Sequence, residues 1–196
     1  MSARVSEKHR KTNETEIRVR LNLDGTGKHQ ISTGIPFFDH MLAQLARHGR
    51  MDLDIEAKGD LEIDGHHTVE DVGLTLGQAL DEALGERRGI TRFAQTYVPL
   101  DEALSRVVVD FSGRPFLVFN ASFDSPKIGD LQTELIEEFF KALVQEGRLN
   151  LHVESIYGRG QHHIAETIFK AAARSLHLAT RVEPGHEDVP STKGVL

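Results

Sequence analysis

The amino-acid sequence predicts a mixed α/β protein of the α+β type, built from a duplicated unit, with its helices packed between two small mixed sheets. The first observation is that strand-like and helix-like hydrophobic patterns follow one another in the same order in both halves of the 196 residues. The second is a literal match, because HGRMDLDIE (48–56) aligns with EGRLNLHVE (146–154), and HHTVE (66–70) aligns with HHIAE (162–166). Two collinear matches favour duplication over chance similarity between amphipathic segments.

The first half begins with a polar segment, residues 1–13, that is expected to be a flexible N-terminus. Apolar and polar residues alternate from 17 to 23, which predicts a half-buried strand, and a turn then leads into a short strand near 28–33 that would complete a hairpin. A helix is predicted from Pro36 to Gly49, because proline suits the first turn of a helix and glycine ends one. The same patterns predict strands near 51–55 and 61–63 and a helix over 67–84.

The second half repeats this order of elements. Its predicted strands and helices are, in chain order, strands at 104–111 and 116–122, a helix over 131–146, a strand at 149–155 and a helix over 163–180. The chain is therefore divided into a first repeat over 14–90, a second repeat over 91–183 and a C-terminal tail over 184–196.

Composition excludes several classes of function. The net charge is −7 and no block of lysine and arginine stands out, which argues against a nucleic-acid or anionic-membrane partner. No stretch approaches the roughly 20 apolar residues that a membrane span requires. The absence of cysteine excludes disulfides, thiolate catalysis and cysteine-ligated zinc, and it fits a reducing compartment, so a cytoplasmic location is expected.

Histidine is the residue type that needs an explanation, because 11 are present and the motif HHxxE occurs twice. The copies are His66-His67-Glu70 and His162-His163-Glu166. Residues three or four apart share one face of a helix, whereas adjacent residues point about 100° apart, so each motif can serve two different ions. Imidazole and carboxylate donors suit Mn, Fe or Zn. The alternative is that these histidines cap helices or pair with nearby acids.

The alignment of the halves proposes one further ligand in each half, because His40 lies opposite Glu138 on segments of similar helical pattern. Each half then offers three donors from its motif and a fourth from the preceding helix. Two ions held in this way would keep open positions for substrate, as catalytic sites require. His152 competes with Glu138 for the fourth position of the second half.

Five segments carry a resemblance to a known family: LDGTG (23–27), TGIPFFDHML (33–42), DGHHTVED (64–71), DFSGRP (110–115) and STKGVL (191–196). From about residue 10 to the C-terminus, the chain resembles imidazoleglycerol-phosphate dehydratase of histidine biosynthesis. The resemblance implies a hydro-lyase that converts D-erythro-imidazole glycerol phosphate to imidazole acetol phosphate and water. It also implies two Mn(II) ions per active site, with other divalent metals possible, and a homo-oligomer of 24 subunits with shared active sites.

The resemblance also implies the residues of the site. The metal ligands are His40, His66, His67, Glu70, Glu138, His162, His163 and Glu166, with Glu138 standing where some relatives have histidine. The substrate-binding residues are Glu14, Arg92, Arg114, Lys170, Ser191 and Lys193, the last two in the tail. Glu14 is the candidate catalytic acid and base, and the arginines and lysines suit a phosphate monoester.

Two other functions remain open from the residues alone. A binuclear hydrolase would use the same ions to activate water against a phosphate or amide. A metal-storage or metal-sensing shell would bind the ions without turnover. A panel of substrates separates these functions from the dehydratase.

Overall fold

The computed structural model describes residues 4–196, and within that range none of the helices is long and apolar enough to cross a membrane. The first repeat contains β1 (Val5–Lys11), β2 (Thr15–Asn22), β3 (His29–Ser32), α1 (Pro36–Gly49), β4 (Asp52–Gly59) and α2 (His66–Leu84). The second repeat contains β5 (Phe93–Leu100), β6 (Ala103–Asp110), β7 (Phe116–Asn120), β8 (Lys127–Ile128), β9 (Leu131–Gln132), α3 (Glu134–Gly147), β10 (Asn150–Tyr157) and α4 (Gln161–Ala179).

The two repeats share one sheet topology. The first sheet has the strand order β1-β2-β4-β3, and the second has the equivalent order β5-β6-β10-β7. In each sheet one strand runs parallel to its neighbour, β3 to β4 and β7 to β10, while the other pairings are antiparallel. Both sheets are therefore mixed, and the duplicated α/β fold predicted from the sequence is confirmed.

The four helices fill the space between the sheets. Strand β2 shows how each sheet supports them, because Ile17, Val19 and Leu21 are buried against the helices while Arg18 and Arg20 face outwards. Helix α1 of the first repeat packs against α4 of the second, and α2 packs against α3. Each HHxxE helix therefore lies beside a helix from the other repeat.

The polar segment at the N-terminus is a correction to the sequence prediction. Residues 5–11 are not loose but form β1, which pairs antiparallel with β2. The strand is polar because its inward side chains are satisfied by α2, where Arg10 donates to Asp71 over 2.8 Å and Lys8 pairs with Glu82. The first sheet thus begins before residue 14, and the remainder of the predicted loose segment, residues 1–3, lies outside the described residues.

The hairpin expected after β2 is also wrong, because β3 pairs with β4 in parallel. The carboxylate of Asp52, at the start of β4, accepts hydrogen bonds from the backbone N–H groups of Thr26 and Lys28 over 2.8 and 2.9 Å. These bonds hold the turn after β2 next to β4. The strand expected at 61–63 is a turn, in which Ile63 is 68% exposed. An alternating pattern of only two apolar residues was insufficient to predict a strand there.

The sequence patterns did not predict two features of the second half. Strand β5, an edge strand whose alternate residues are exposed, was not predicted. Strand β9 of the short β8–β9 ribbon occupies the start of the segment expected to be helical, so α3 begins at Glu134 rather than near residue 131. The other predicted strands and helices are present, with ends that differ by a few residues.

Candidate metal centre and substrate-binding residues

Three metal-ligand candidates come together where α1 packs against α4. His40 lies on α1, and His162 and Glu166 lie near the start of α4. Nε2 of His162 is 3.2 Å from Oε2 of Glu166, and Nε2 of His40 is 3.9 Å from the same oxygen. One donor atom from each residue lies within 4.8 Å of the other two. Two imidazoles and a carboxylate are a donor set that Mn(II), Fe(II) and Zn(II) accept, so these residues fit a divalent ion.

The composition of this group corrects one detail of the sequence prediction. By sequence, His40 belongs with the HHxxE motif of its own repeat. In the structure it joins the motif of the second repeat, because helices pair across the repeats and not within them. Duplication predicts which positions are equivalent, but the packing decides which of them meet.

Lys170 sets the charge of the group. Its Nζ lies 2.7 Å from Oε1 of Glu166, one helical turn away, and only 17% of its side chain is exposed. Burial alone would raise the pKa of Glu166, but the hydrogen bond and charge of Lys170, helped by His40 and His162, bring that pKa below its ordinary value. The carboxyl group of Glu166 is therefore ionised at neutral pH.

The adjacent histidines of each motif diverge, as the helical geometry predicts. The ring centroids of His66 and His67 are 6.0 Å apart with the planes at 82°. Those of His162 and His163 are 6.1 Å apart at 86°. The two motifs thus have nearly the same local geometry, and neither pair points both rings at a single position.

Glu102, in the turn between β5 and β6, orients His163. Its Oε2 lies 2.8 Å from Nδ1 of His163, and since an ionised carboxylate can only accept, Nδ1 carries the proton. The hydrogen bond from His163, with those from the N–H groups of Gly160 and Arg159, lowers the pKa of Glu102 to about 2. The same contact raises the pKa of His163. Nε2 is left as the nitrogen that can bind a metal.

Asp60 has the same role in the first repeat. Its Oδ2 lies 3.0 Å from Nδ1 of His67, and this hydrogen bond raises the pKa of His67. On the other side of the ring, Nε2 of His67 is 3.9 Å from Oε1 of Glu14. Sequence reasoning missed both Asp60 and Glu102. Asp60 lies seven residues before His67 and could have been suspected, whereas Glu102 lies 61 residues before His163.

The remaining ligand candidates lie on α2 and α3. His66 and Glu70 on α2 and Glu138 on α3 are the repeat equivalents of His162, Glu166 and His40. Within residues 4–196 they do not approach one another as closely as the first group does. Glu138 accepts a hydrogen bond of 3.3 Å from Nζ of Lys141.

His152, the competing candidate for the fourth ligand, lies on β10. It is exposed between the buried residues Leu151 and Val153. Because alternate residues of a strand point to opposite faces, its side chain lies on the face away from the helices. That face is opposite the layer that carries the other ligand candidates of this chain, so His152 and Glu138 remain alternatives for the fourth position.

Among the predicted phosphate-binding residues, Arg92 has structural partners already. Its Nε donates to Asp110 over 2.8 Å, and its Nη1 donates to the carbonyl oxygen of Pro190 over 2.7 Å. The guanidinium also lies over the ring of Phe93, 4.4 Å from its centroid. Arg92 therefore anchors the start of the tail next to the second sheet.

Arg114 and the tail lie at the same end of the molecule. Gly113 is packed so closely against Leu196 that an added Cβ would come within 2.5 Å of the Leu196 carbonyl carbon. Within the tail, the N–H of Lys193 donates to Oγ of Ser191 over 3.2 Å. Arg92, Arg114, Ser191 and Lys193 are thus placed at one end of the second repeat.

The predicted site residues fall into two groups in a single chain. The N–H of Arg92 donates to the carbonyl of Ala179, the last residue of α4, whereas Glu166 lies near the beginning of that helix. Ala179 lies thirteen positions after Glu166, which corresponds to about 20 Å along a helix axis. Lys170 lies with the metal-ligand group, and the other phosphate-binding candidates lie at the far end.

Comparison with known proteins identifies relatives along the whole chain. A sequence model described as imidazoleglycerol-phosphate dehydratase matches residues 33–176. The chain is 56% identical over 197 residues to the imidazoleglycerol-phosphate dehydratase of Agrobacterium fabrum, covering 100% of both. It is 59% identical over 196 residues to that of Gluconacetobacter diazotrophicus, covering 100% of this chain and 99% of the relative.

Two solved structures share the fold. The crystal structure of imidazoleglycerol-phosphate dehydratase from Staphylococcus aureus has a TM-score of 0.83 at 40% identity, covering 91% of this chain and 99% of that one. The structure from Pyrococcus furiosus has a TM-score of 0.84 at 36% identity, covering 96% and 100%. By sequence and by fold, the chain belongs to the imidazoleglycerol-phosphate dehydratase family.

Proposed function

We propose that this hydro-lyase converts D-erythro-imidazole glycerol phosphate to imidazole acetol phosphate and water, in histidine biosynthesis, with two Mn(II) ions per active site. The observation that carries the proposal is the group of His40, His162 and Glu166, in a chain 55–59% identical to proteins named for this dehydration. Other divalent metals with the same donor preferences can replace Mn(II). The absence of cysteine supports a cytoplasmic enzyme.

Eight side chains would hold the two ions. They are His40, His66, His67, Glu70, Glu138, His162, His163 and Glu166. When bound, the ions would supply Lewis acidity towards the imidazole ring of the substrate and so stabilise negative charge that develops on it. Asp60 and Glu102 would fix the rings of His67 and His163 with Nε2 available.

Glu14 would transfer the protons. The C–H bond that breaks is not next to a carbonyl group, so the base must be positioned accurately. Glu14 accepts that proton, while the hydroxyl group leaves from the carbon attached to the ring and is protonated to water. The resulting enol tautomerises to the ketone. The carboxylate of Glu14 lies 3.9 Å from Nε2 of His67 and its side chain is 56% exposed, which suits a base beside a ligand histidine.

Arg92, Arg114, Lys170, Ser191 and Lys193 would bind the phosphate group. Because about 20 Å of helix α4 separates Glu166 from the end where Arg92, Arg114, Ser191 and Lys193 lie, and about 14 Å separates Lys170 from that end, one small substrate cannot contact both Glu166 and these residues in the same chain. We therefore propose that neighbouring chains of a homo-oligomer of 24 subunits complete each other's active sites.

A product assay tests the proposed function. Mn-loaded protein is incubated with imidazole glycerol phosphate, and the ketone and free phosphate are both measured. Formation of the ketone without release of phosphate is expected. Release of phosphate would indicate a binuclear hydrolase instead, and neither product would indicate a metal-storage or metal-sensing shell.

A further inference from the structure

A cavity of about 530 Å³ lies at the C-terminal end of α4, and we call it the α4 cavity. It is bounded by the turn after β2, the residue that follows α1 and the end of α4. The charged and titratable residues that line it are Arg4, Asp24, Arg50, His177 and Arg181. No lining residue belongs to the proposed metal-ligand or substrate-binding set.

The α4 cavity carries positive charge in a chain whose net charge is −7. Arg4 pairs with Asp24. Arg50 and Arg181 are exposed and form no ion pair within residues 4–196. Three arginines against one aspartate leave a charge of +2 on the lining, before any contribution from histidine.

His177 lies among these positive charges. Burial is the largest cause that lowers its pKa, and the charges of Arg50, Arg181 and Arg174 lower the pKa further. Arg174 lies one helical turn before His177 and is likewise without an ion pair among the described residues. These guanidinium groups form no ion pair within residues 4–196, and an anion bound among them would reduce their mutual repulsion.

The duplicated fold supplies an internal comparison, because a cavity of about 550 Å³ lies at the corresponding end of α2. Arg148 there is the repeat equivalent of Arg50, and each follows its helix in a left-handed conformation, with φ of 50° and 52°. Arg148, however, lies 3.8 Å from Asp81. Asp81 and His177 are equivalent, since each lies eleven residues after the glutamate of its HHxxE motif.

Other polar residues that line this second cavity, which we call the α2 cavity, also have partners within the chain. Lys8 pairs with Glu82, and Gln78 donates to Glu146 over 2.9 Å. In the α2 cavity, Lys8 and Arg148 thus lie against acidic residues of the same cavity. The α4 cavity has His177 at the position equivalent to Asp81. The unpaired charge is therefore specific to the α4 cavity and is not shared by the equivalent end of the duplicated fold.

We propose that the α4 cavity binds the phosphate group of a small phosphorylated molecule, with Arg50 and Arg181 as the principal donors. Guanidinium groups match phosphate oxygens with two parallel N–H groups. A phosphate monoester carries about −1.5 to −2 charges at neutral pH, which balances the +2 of the lining. The volume lies within the range of about 300–1,000 Å³ typical of small-molecule sites, so it has room for an organic group as well.

Titration calorimetry in a Lys170→Ala/Lys193→Ala background tests the proposal, because that background removes two contacts of the proposed active-site phosphate. The probes are glycerol 3-phosphate and inorganic phosphate. Adding Arg50→Ala and Arg181→Ala should weaken the binding of glycerol 3-phosphate at least tenfold. Adding Arg148→Ala, the matched change in the α2 cavity, should alter the affinity less than twofold. Circular dichroism verifies that each variant is folded, and the single Arg181→Gln variant replaces the double one if it is not.

Tighter binding of glycerol 3-phosphate than of inorganic phosphate would support a phosphorylated organic ligand, and equal binding would support free phosphate as the ligand. Unchanged affinity after Arg50→Ala/Arg181→Ala would overturn the proposal. So would an equal loss with Arg148→Ala, because the effect would then be one of overall charge. Loss of dehydratase activity in an Arg50→Ala/Arg181→Ala protein with Lys170 and Lys193 intact would assign these arginines to the active site, and the proposal would also fail.

Discussion

Glu102 accepts a hydrogen bond of 2.8 Å from Nδ1 of His163, and this contact joins the turn between β5 and β6 to the start of α4. Asp60 makes the equivalent contact with His67 over 3.0 Å. Although the two carboxylates come from different structural positions in their repeats, each leaves Nε2 of its histidine available. A histidine held in this way is a better metal ligand than a free one, because its tautomer and ring orientation are fixed before the metal binds.

Replacing Glu102 should weaken metal binding. Glu102→Ala should lower the affinity for Mn(II) by about 10- to 100-fold, the usual cost of losing such a partner of a ligand histidine. Glu102→Gln should retain more of the affinity, because its amide oxygen can still accept from Nδ1. Metal titration of the stripped protein measures both. Asp101→Asn, in the same turn, is the control, and equal losses in the control and in Glu102→Ala would refute a specific role.

Glu138 should be a metal ligand at the position equivalent to His40. Glu138→Ala should remove metal and activity, while Glu138→His should keep much of both because imidazole is also a competent donor. Metal content by mass spectrometry and the rate of ketone formation measure the two effects. His152→Ala is the comparison. A full metal content in Glu138→Ala with a collapsed content in His152→Ala would show that His152 is the ligand.

Lys193 should hold the substrate phosphate without affecting the metal. The tail lies beyond the last helix and can order around an anion. Since a hydrogen bond to a charged group contributes roughly 1.5–3 kcal/mol and 1.4 kcal/mol is about a factor of ten, Lys193→Ala should lower kcat/KM at least about tenfold. Steady-state kinetics measure this, with metal content as the control. Wild-type kinetics would exclude a phosphate-binding role, and loss of metal would indicate a structural one.

His177 should make the stability of the native chain depend on pH. Its pKa lies below the ordinary 6.5, so below about pH 6.5 the unfolded chain binds more protons than the native chain and the free energy of unfolding falls. His67 and His163 have raised pKa values and act in the opposite direction, but they are common to wild type and variant. His177→Gln should therefore lose less stability than wild type between about pH 7.5 and 5.

Urea unfolding at a series of pH values provides this comparison. His186→Gln, at an exposed position, controls for the removal of a histidine. Identical pH profiles for wild type and His177→Gln would mean that neither burial nor the neighbouring arginines lower the pKa of His177.

The sequence predicted those parts of the fold that are encoded locally. Helix α1 was predicted from end to end because Pro36 and Gly49 mark its limits, and the HHxxE motifs lie at the starts of the helices predicted for them, α2 and α4. Strand β1 was missed because its polar residues are satisfied only by α2, through contacts such as Arg10 with Asp71. A polar strand and a polar loop look alike in sequence when their partners are distant.

The site was predicted less completely than the fold, for the same reason. The duplication identified His40 and Glu138 as equivalent, yet only the packing of α1 on α4 reveals that His40 meets the second motif. Glu102 could not be found, because nothing in the sequence links it to His163. Likewise, the separation of Lys170 from Lys193 follows from the length of α4 and from the position of the tail.

A Mn(II) titration of metal-stripped protein tests the central claim most directly, which is that the paired helices hold two ions that support dehydration. Formation of the ketone from imidazole glycerol phosphate is followed as Mn(II) is added. Because each chain carries two HHxxE motifs and one set of phosphate-binding residues, activity should be absent without metal and should saturate at two equivalents per chain. Full activity in the stripped protein, or saturation at a single equivalent, would contradict the account.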